Sequence, residues 1–177
     1  AKLLGLGYPG GPILDRLSGG GNPEAIRFSL PKISSGELAF SFSGLKSAAA
    51  RVFAEANWKP VPSDSRSDVS IIPEEILDFI ASYQKAVVDQ ILDRLQKALD
   101  GRDVASIHIS GGVSCNSELR YRSQNFFKNL GVPVYFPNPS LTTDNAAMIA
   151  LAGARRIEKG QEDSWDLKAN PNLPFYR

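Results

Sequence analysis

With 177 residues, 42% of them hydrophobic and 22% charged, the chain is long enough for one domain with a buried core and too apolar to be disordered throughout. A formal net charge of +1, with no run of five like charges, gives no compositional basis for a strong electrostatic hold on nucleic acid or membrane. The single cysteine, Cys115, excludes an internal disulfide, and no stretch of eighteen apolar residues marks a membrane span, so a cytoplasmic or organelle-matrix location is expected.

Residues 1–6 lack the charged start and long apolar core of a signal peptide and read as the end of a helix, closed by Gly7 as C-cap. Y-P-G-G-P at 8–12 sets two glycines between two prolines, a rigid, backbone-exposed corner leading into a short helix at 13–17. After a break at 18–23, the alternating or aromatic apolar residues of 26–30 and 38–42 predict two short strands around the turn Ser34-Ser35-Gly36. Ser43 is the expected cap of a helix over 44–56, with Leu45, Ala49, Val52, Phe53 and Ala56 on one face. Residues 57–72, with Pro60, Pro62 and several serines and aspartates, read as a surface insertion or linker. Pro73, Glu74 and Glu75 open the longest helix, because proline suits a first turn and carboxylates suit the positive end of the dipole. Ile76, Ile80, Tyr83, Val87, Ile91 and Leu95 give it one buried stripe down to Leu99, and Asp100-Gly101 end it.

β-Branched content predicts strands at 104–109 and 132–136, with a helix over 117–130 between them. A right-handed crossover makes these strands parallel and puts both connecting turns at the carboxyl side of the sheet, where α/β proteins bind ligands. An alanine-rich helix at 146–159, stopped by Gly160, closes the pattern, and 161–177 reads as a surface tail. The fold class is α/β.

Two strand-turn-helix junctions, 107–120 and 138–150, carry the residues suited to chemistry, because backbone N–H groups and a short polar side chain meet at a helix N-terminus, where anions bind. Gly111 and Gly112 let a backbone approach a phosphate or ribose, and Asn116 has an amide for a ligand hydroxyl; equally, the glycines make a turn and Asn116 caps a helix. No G-K-[ST] follows, which excludes a Walker-type loop. Asp144 reads either as the cap of the last helix, the plainer reading, or as a carboxylate for a divalent metal. His108, the only histidine, reads as a packed, hydrogen-bonded strand residue. Cys115 has only His108 as a possible base and no acidic orienter, which speaks against a cysteine hydrolase. Lys46, Arg51 and Lys85 read as solvated helix residues.

Together, Y-P-G-G-P at 8–12, F-S-F-S-G-L-K at 40–46, S-G-G-V-S-C-N-S-E-L-R at 110–120 and T-D-N-A-A-M-I-A-L-A-G at 143–153 resemble the TsaD family, the tRNA adenosine threonylcarbamoyltransferases once described as glycoprotein endopeptidases. The resemblance covers the C-terminal half to two-thirds of a family member. It implies the fold shared by actin, sugar kinases and heat-shock ATPases, here as a partial domain with a short, mostly parallel sheet. On that reading residues 13–100 form a helical insertion, 101–160 a βαβα nucleotide-binding core and 161–177 the tail. It implies transfer of threonylcarbamoyl from threonylcarbamoyl-AMP to N6 of adenosine 37 in tRNAs that read codons starting with A. By position, Gly11 and Asn116 match contacts to the adenylate, with Gly111 and Gly112 beside them. Asp144 matches a ligand to one divalent metal, iron or zinc, that acts as a Lewis acid. The family's H-x-x-x-H helix, which supplies two further ligands, and its acidic D-D-A and G-E-A-F-D-K segments lie outside these residues, so this chain by itself is expected to be inactive. Implied partners are tRNA and TsaB- and TsaE-like proteins. Self-association through an exposed sheet edge is a further expectation, and no membrane role is implied. A non-catalytic scaffold of the same fold and a peptidase are the alternatives.

Overall fold

In the computed structural model, which describes residues 1–29, 40–62, 69–168 and 170–172, the chain is α/β. The elements in chain order are α1 (Gly10–Ser18), α2 (Ser43–Glu55), α3 (Glu74–Leu99), β1 (Ile107–His108), α4 (Ser117–Lys128), β2 (Val134–Tyr135) and α5 (Ala146–Glu158). Short 3-10 turns lie at Val69–Ile71, Gly112–Cys115 and Pro139–Leu141. The chain separates into two compact units, Ala1–Thr142 and Thr143–Arg177. The boundary falls inside the 101–160 stretch.

The first unit is organised by α3. Pro73 precedes it with φ −55° and ψ 141°, and Glu74 and Glu75 occupy its first turn, as the sequence predicts. Its burial is wider than one stripe. Ile76, Phe79 and Ile80 enter one core cluster with Leu4, Leu6, Leu17, Leu45 and Phe53, while Val88 and Leu92 enter a second with Ile107, Leu119 and Phe127. One helix therefore serves two cores, and the predicted stripe residues Tyr83, Val87 and Ile91 are left half-buried.

Several local expectations change. Residues 1–6 form turns closed by the bonds Gly5 N–H to Lys2 O (3.2 Å) and Leu6 N–H to Ala1 O (2.9 Å), the pattern that ends a helix with glycine at C′. Gly5, at φ 75°, is thus the terminating residue in place of Gly7. α1 starts at Gly10, three residues before the predicted 13–17, because a proline in a first turn removes an N–H that no helix carbonyl would accept. Ser43 does not cap α2; Phe42 holds the cap position and offers no side-chain bond. Residues 26–29 and 40–42 are not strands. Instead Phe28 packs on Phe79 and Tyr83 of α3 at 6.1 and 5.8 Å, and the Ile26 N–H donates to Ser82 Oγ, so this segment's bonding is satisfied by a helix. The turn Ser34-Ser35-Gly36 lies outside the described residues. The described part of 57–72 is anchored, with Trp58 against Phe53 and Phe79 and the Val61 N–H bonded to Leu4 O at 2.9 Å.

β1 and β2 are parallel, in register Ile107 to Val134 and His108 to Tyr135, shorter than predicted but at the predicted places. α4 connects them.

Lys85 is not a solvated residue as expected. Its ammonium bonds Asp89 at 2.8 Å and approaches Glu24 at 3.6 Å, and Asp89 also accepts from Arg122, which joins α3 to α4. Burial pushes the Asp89 carboxyl up, but the bonds from Lys85 and Arg122 outweigh it and hold the group below its ordinary range. A depressed carboxyl contributes stability above its unfolded pKa, about 3.9, and that stability is lost as pH falls through the lower folded value. Asp89→Asn is therefore expected to cost about 1 kcal/mol at neutral pH and to flatten the acid limb below about pH 4, measured by urea denaturation across pH.

The second unit holds α5, capped by Asn145, whose side chain accepts from the Met148 N–H at 2.9 Å. Gly160 stops it as predicted, with Gly160 N–H to Ile157 O and Gln161 N–H to Arg156 O. Arg155–Glu158 and Arg156–Asp163 pairs decorate its end. Among the described residues no helix is long and apolar enough to cross a membrane.

Candidate functional site

The corner at 8–12 and the junction at 110–120 meet at one cavity of about 120 Å³ in the first unit. The corner contains a cis Tyr8–Pro9 bond and runs directly into α1, whose second residue, Gly11, borders the cavity with Leu14. At the junction, Gly111 sits at φ 84°, a conformation that glycine alone adopts readily, and the chain then tightens into the Gly112–Cys115 turn. That turn brings Val113 to the cavity, and Asn116 and Leu119 follow it. α3 supplies the opposite wall through Ile80, Tyr83, Gln84, Val87, Val88 and Ile91. The lining is apolar except for two side-chain amides and the tyrosine hydroxyl.

Asn116 is the cap of α4, with Oδ1 accepting from the Leu119 N–H at 2.9 Å. Its amide nitrogen donates at 2.9 Å both to Asp15 Oδ1 and to Gln84 Oε1. The Asp15 carboxylate also accepts from the Ser117 N–H, at 3.0 Å to Oδ2, and from Ser117 Oγ at 2.8 Å. A carboxylate thus faces the positive end of α4 and ties it to α1. Neither Asp15 nor Gln84 was marked by sequence reasoning. The available signal was that Asp15 lies one helical turn after Gly11 on the same face. Arg120 braces the junction from behind, bonding Ser114 O at 2.6 Å and Pro137 O at 3.2 Å while its guanidinium lies 4.7 Å from the Phe136 ring centroid.

The other sequence candidates fall elsewhere. Gly111 and Gly112 are exposed and lead into the cavity-lining turn without bordering the cavity themselves. His108 is exposed, not packed inside; it stacks on Tyr135 at 5.2 Å and lies 3.1 Å from Ser106 Oγ. The Cys115 thiol bonds Thr142 Oγ1 at 3.0 Å, a partner that is no base. Asp144 belongs to the second unit and is exposed. The cap reading fails for it, since its neighbour Asn145 caps α5. Among the described residues no group of three His, Cys, Asp or Glu side chains is placed to hold a metal ion.

A family model described as tRNA N6-adenosine threonylcarbamoyltransferase matches residues 1–151. The chain belongs to the TsaD family. Proteins named tRNA N6-adenosine threonylcarbamoyltransferase are similar over almost the whole chain. That of Koribacter versatilis is 38% identical, covering 98% of this chain and 52% of the relative. That of Thermodesulfovibrio yellowstonii is 40% identical, covering 99% and 50%. That of Aromatoleum aromaticum is 41% identical, covering 91% and 43%. The chain spans about half the length of the curated relatives it matches. The TsaD match takes in the cavity-forming motifs and Asp144 and leaves 152–177 outside.

Proposed function

We propose that this chain is the adenylate-holding portion of a transferase that moves threonylcarbamoyl from threonylcarbamoyl-AMP to N6 of adenosine 37 in ANN-decoding tRNAs, and that the rest of the relatives' length is needed for turnover. The observation that carries the reading is the shared cavity of Gly11 and Asn116, two positions far apart in sequence for which the family resemblance implies adenylate contacts. At about 120 Å³ it is smaller than the ~300–1,000 Å³ of typical ligand pockets and suits a flat base with a polar edge better than a whole adenylate. The parallel strand pair is compatible with the actin and sugar-kinase type of fold that the resemblance implies.

The chemistry is compatible with these residues. Threonylcarbamoyl-AMP is a mixed anhydride, so the tRNA amine attacks its carbonyl carbon, the carbonyl–oxygen bond to phosphate breaks, and AMP leaves with the electron pair while the amine loses a proton. No covalent enzyme intermediate is needed, which accords with a Cys115 bonded to Thr142 and argues against the peptidase alternative. The work of this chain is to hold and orient the adenylate. With a net charge of +1, it is suited to sharing the tRNA with TsaB- and TsaE-like partners.

The test is the full-length protein assayed for threonylcarbamoyladenosine in tRNA by mass spectrometry. Asp144→Ala is expected to lose bound iron or zinc, read by elemental analysis, and to lower the modification rate at least about 100-fold. Wild-type protein that modifies no tRNA in the presence of its partners would favour the non-catalytic scaffold, and a variant that keeps both metal and activity would remove Asp144 from the site.

A further inference from the structure

We infer that Gln84 is a positioning residue that fixes the direction of the Asn116 amide, so that Asn116 offers the cavity a hydrogen-bond acceptor and no donor. The inference rests on the adenylate reading of the cavity and specifies which part of the ligand faces Asn116.

Ser18 Oγ–H donates to the Asp15 backbone carbonyl at 2.7 Å, which commits its only hydrogen. The group of Gln84 lying 2.7 Å from Ser18 Oγ must therefore be the donor end of its amide, Nε2. Gln84 Oε1 is then turned to Asn116, 2.9 Å away, and accepts one N–H of Nδ2. The second N–H goes to Asp15 Oδ1. From the other side, Asn116 Oδ1 is fixed toward the α4 N-terminus by the Leu119 N–H. Both ends of the relay enforce the same orientation: turning over Gln84 would set like groups against each other at two contacts, and turning over Asn116 at three.

Both amide hydrogens of Asn116 are thereby engaged within the protein. What it can still present is the second lone pair of Oδ1. A ligand group seated against it must donate, as a ribose hydroxyl or a base amine does; a phosphate oxygen, which only accepts, is disfavoured there. Gln84 lines the same cavity and keeps one amide hydrogen and one Oε1 lone pair outside these bonds, so the Asn116→Ala background is what separates its action through Asn116 from any direct contact of its own.

AMP binding to the full-length protein, measured by titration calorimetry, tests this. Gln84→Ala is expected to raise the AMP Kd about tenfold, and Ser18→Ala, which frees the Gln84 amide without touching the cavity wall, about two- to threefold. In an Asn116→Ala background Gln84→Ala is expected to add less than about twofold, since its route of action is gone. Among 2′-deoxy-AMP, 3′-deoxy-AMP and purine riboside monophosphate, each lacking one donor group, one is expected to bind the wild type more weakly than AMP and Asn116→Ala no more weakly than AMP. The inference fails if the Gln84 and Asn116 losses multiply, if Gln84→Ala binds AMP like wild type, or if no analogue shows that pattern. Should Gln84→Ala not fold, the Ser18→Ala and Asn116→Ala pair carries the same comparison. Wild-type protein that binds no AMP, or AMP binding that ignores Asn116→Ala, would remove the adenylate reading together with this inference, whereas AMP binding that is weakened by Asn116→Ala but ignores Gln84→Ala and Ser18→Ala removes this inference alone.

Discussion

Gly11→Leu is expected to leave the melting temperature of the full-length protein within about 3 °C of wild type while weakening AMP binding at least tenfold. Glycine in a helix is disfavoured by up to about 1 kcal/mol relative to alanine, so a glycine in α1 calls for a reason. The fold supplies none: a Cβ at Gly11 meets nothing within 4 Å, and the residue has no positive φ. What the position does have is a border on the cavity that Asn116 closes from the other side. An isobutyl group there extends into open space, so it disturbs no core contact, and it starts from a residue that borders the recess of about 120 Å³. Calorimetric melting and AMP titration separate the two effects. A melting temperature lowered by more than about 5 °C would make the glycine structural, and unchanged AMP affinity would place the ligand elsewhere.

The contrast between Gly11 and its surroundings also shows how much of this site could be seen in the sequence. The junction at 110–120 was legible because a β-branched strand, two glycines and a cap-forming asparagine each act within a few residues, and β1, the Gly112–Cys115 turn and α4 form where that grammar puts them. α3 was legible because its apolar spacing runs for many turns. What failed were features decided by partners distant in sequence. The aromatic residue Phe28 has the look of a strand, but its neighbours turn out to be Phe79 and Tyr83 on a helix. Asp15 and Gln84 are ordinary polar residues on amphipathic helices, and only the meeting of α1, α3 and α4 makes them partners of Asn116. Asp144 and Asn145 are both able to cap, and a one-residue difference in where the backbone turns helical gave the cap to Asn145.

A second glycine, Gly21, is expected to behave in the opposite way: Gly21→Ala should cost about 3 kcal/mol or more, lowering the melting temperature by roughly 6–12 °C for a chain of this size. A Cβ at Gly21 would lie 2.2 Å from the carbonyl carbon and oxygen of Leu77 and 2.6 Å from the Asp78 nitrogen, so the obstacle is helix backbone, which cannot rotate aside as a side chain can. The contact is held close by its neighbours. The Asn22 N–H donates to Asp78 Oδ1 at 2.6 Å, Ser82 Oγ donates to Asn22 O at 3.3 Å, and the Ile26 N–H donates back to Ser82 Oγ at 3.1 Å. Pushing the segment away to admit a methyl group would stretch these bonds together and loosen α1 from α3, the two helices that form facing walls of the cavity. AMP binding is therefore expected to weaken in Gly21→Ala in step with stability and to recover at low temperature or with added osmolyte, whereas the Gly11→Leu loss should persist under the same conditions. A cost below about 1 kcal/mol by urea denaturation would show that the α3 backbone yields at Leu77, and that the α1–α3 wall is less rigid than the recess requires.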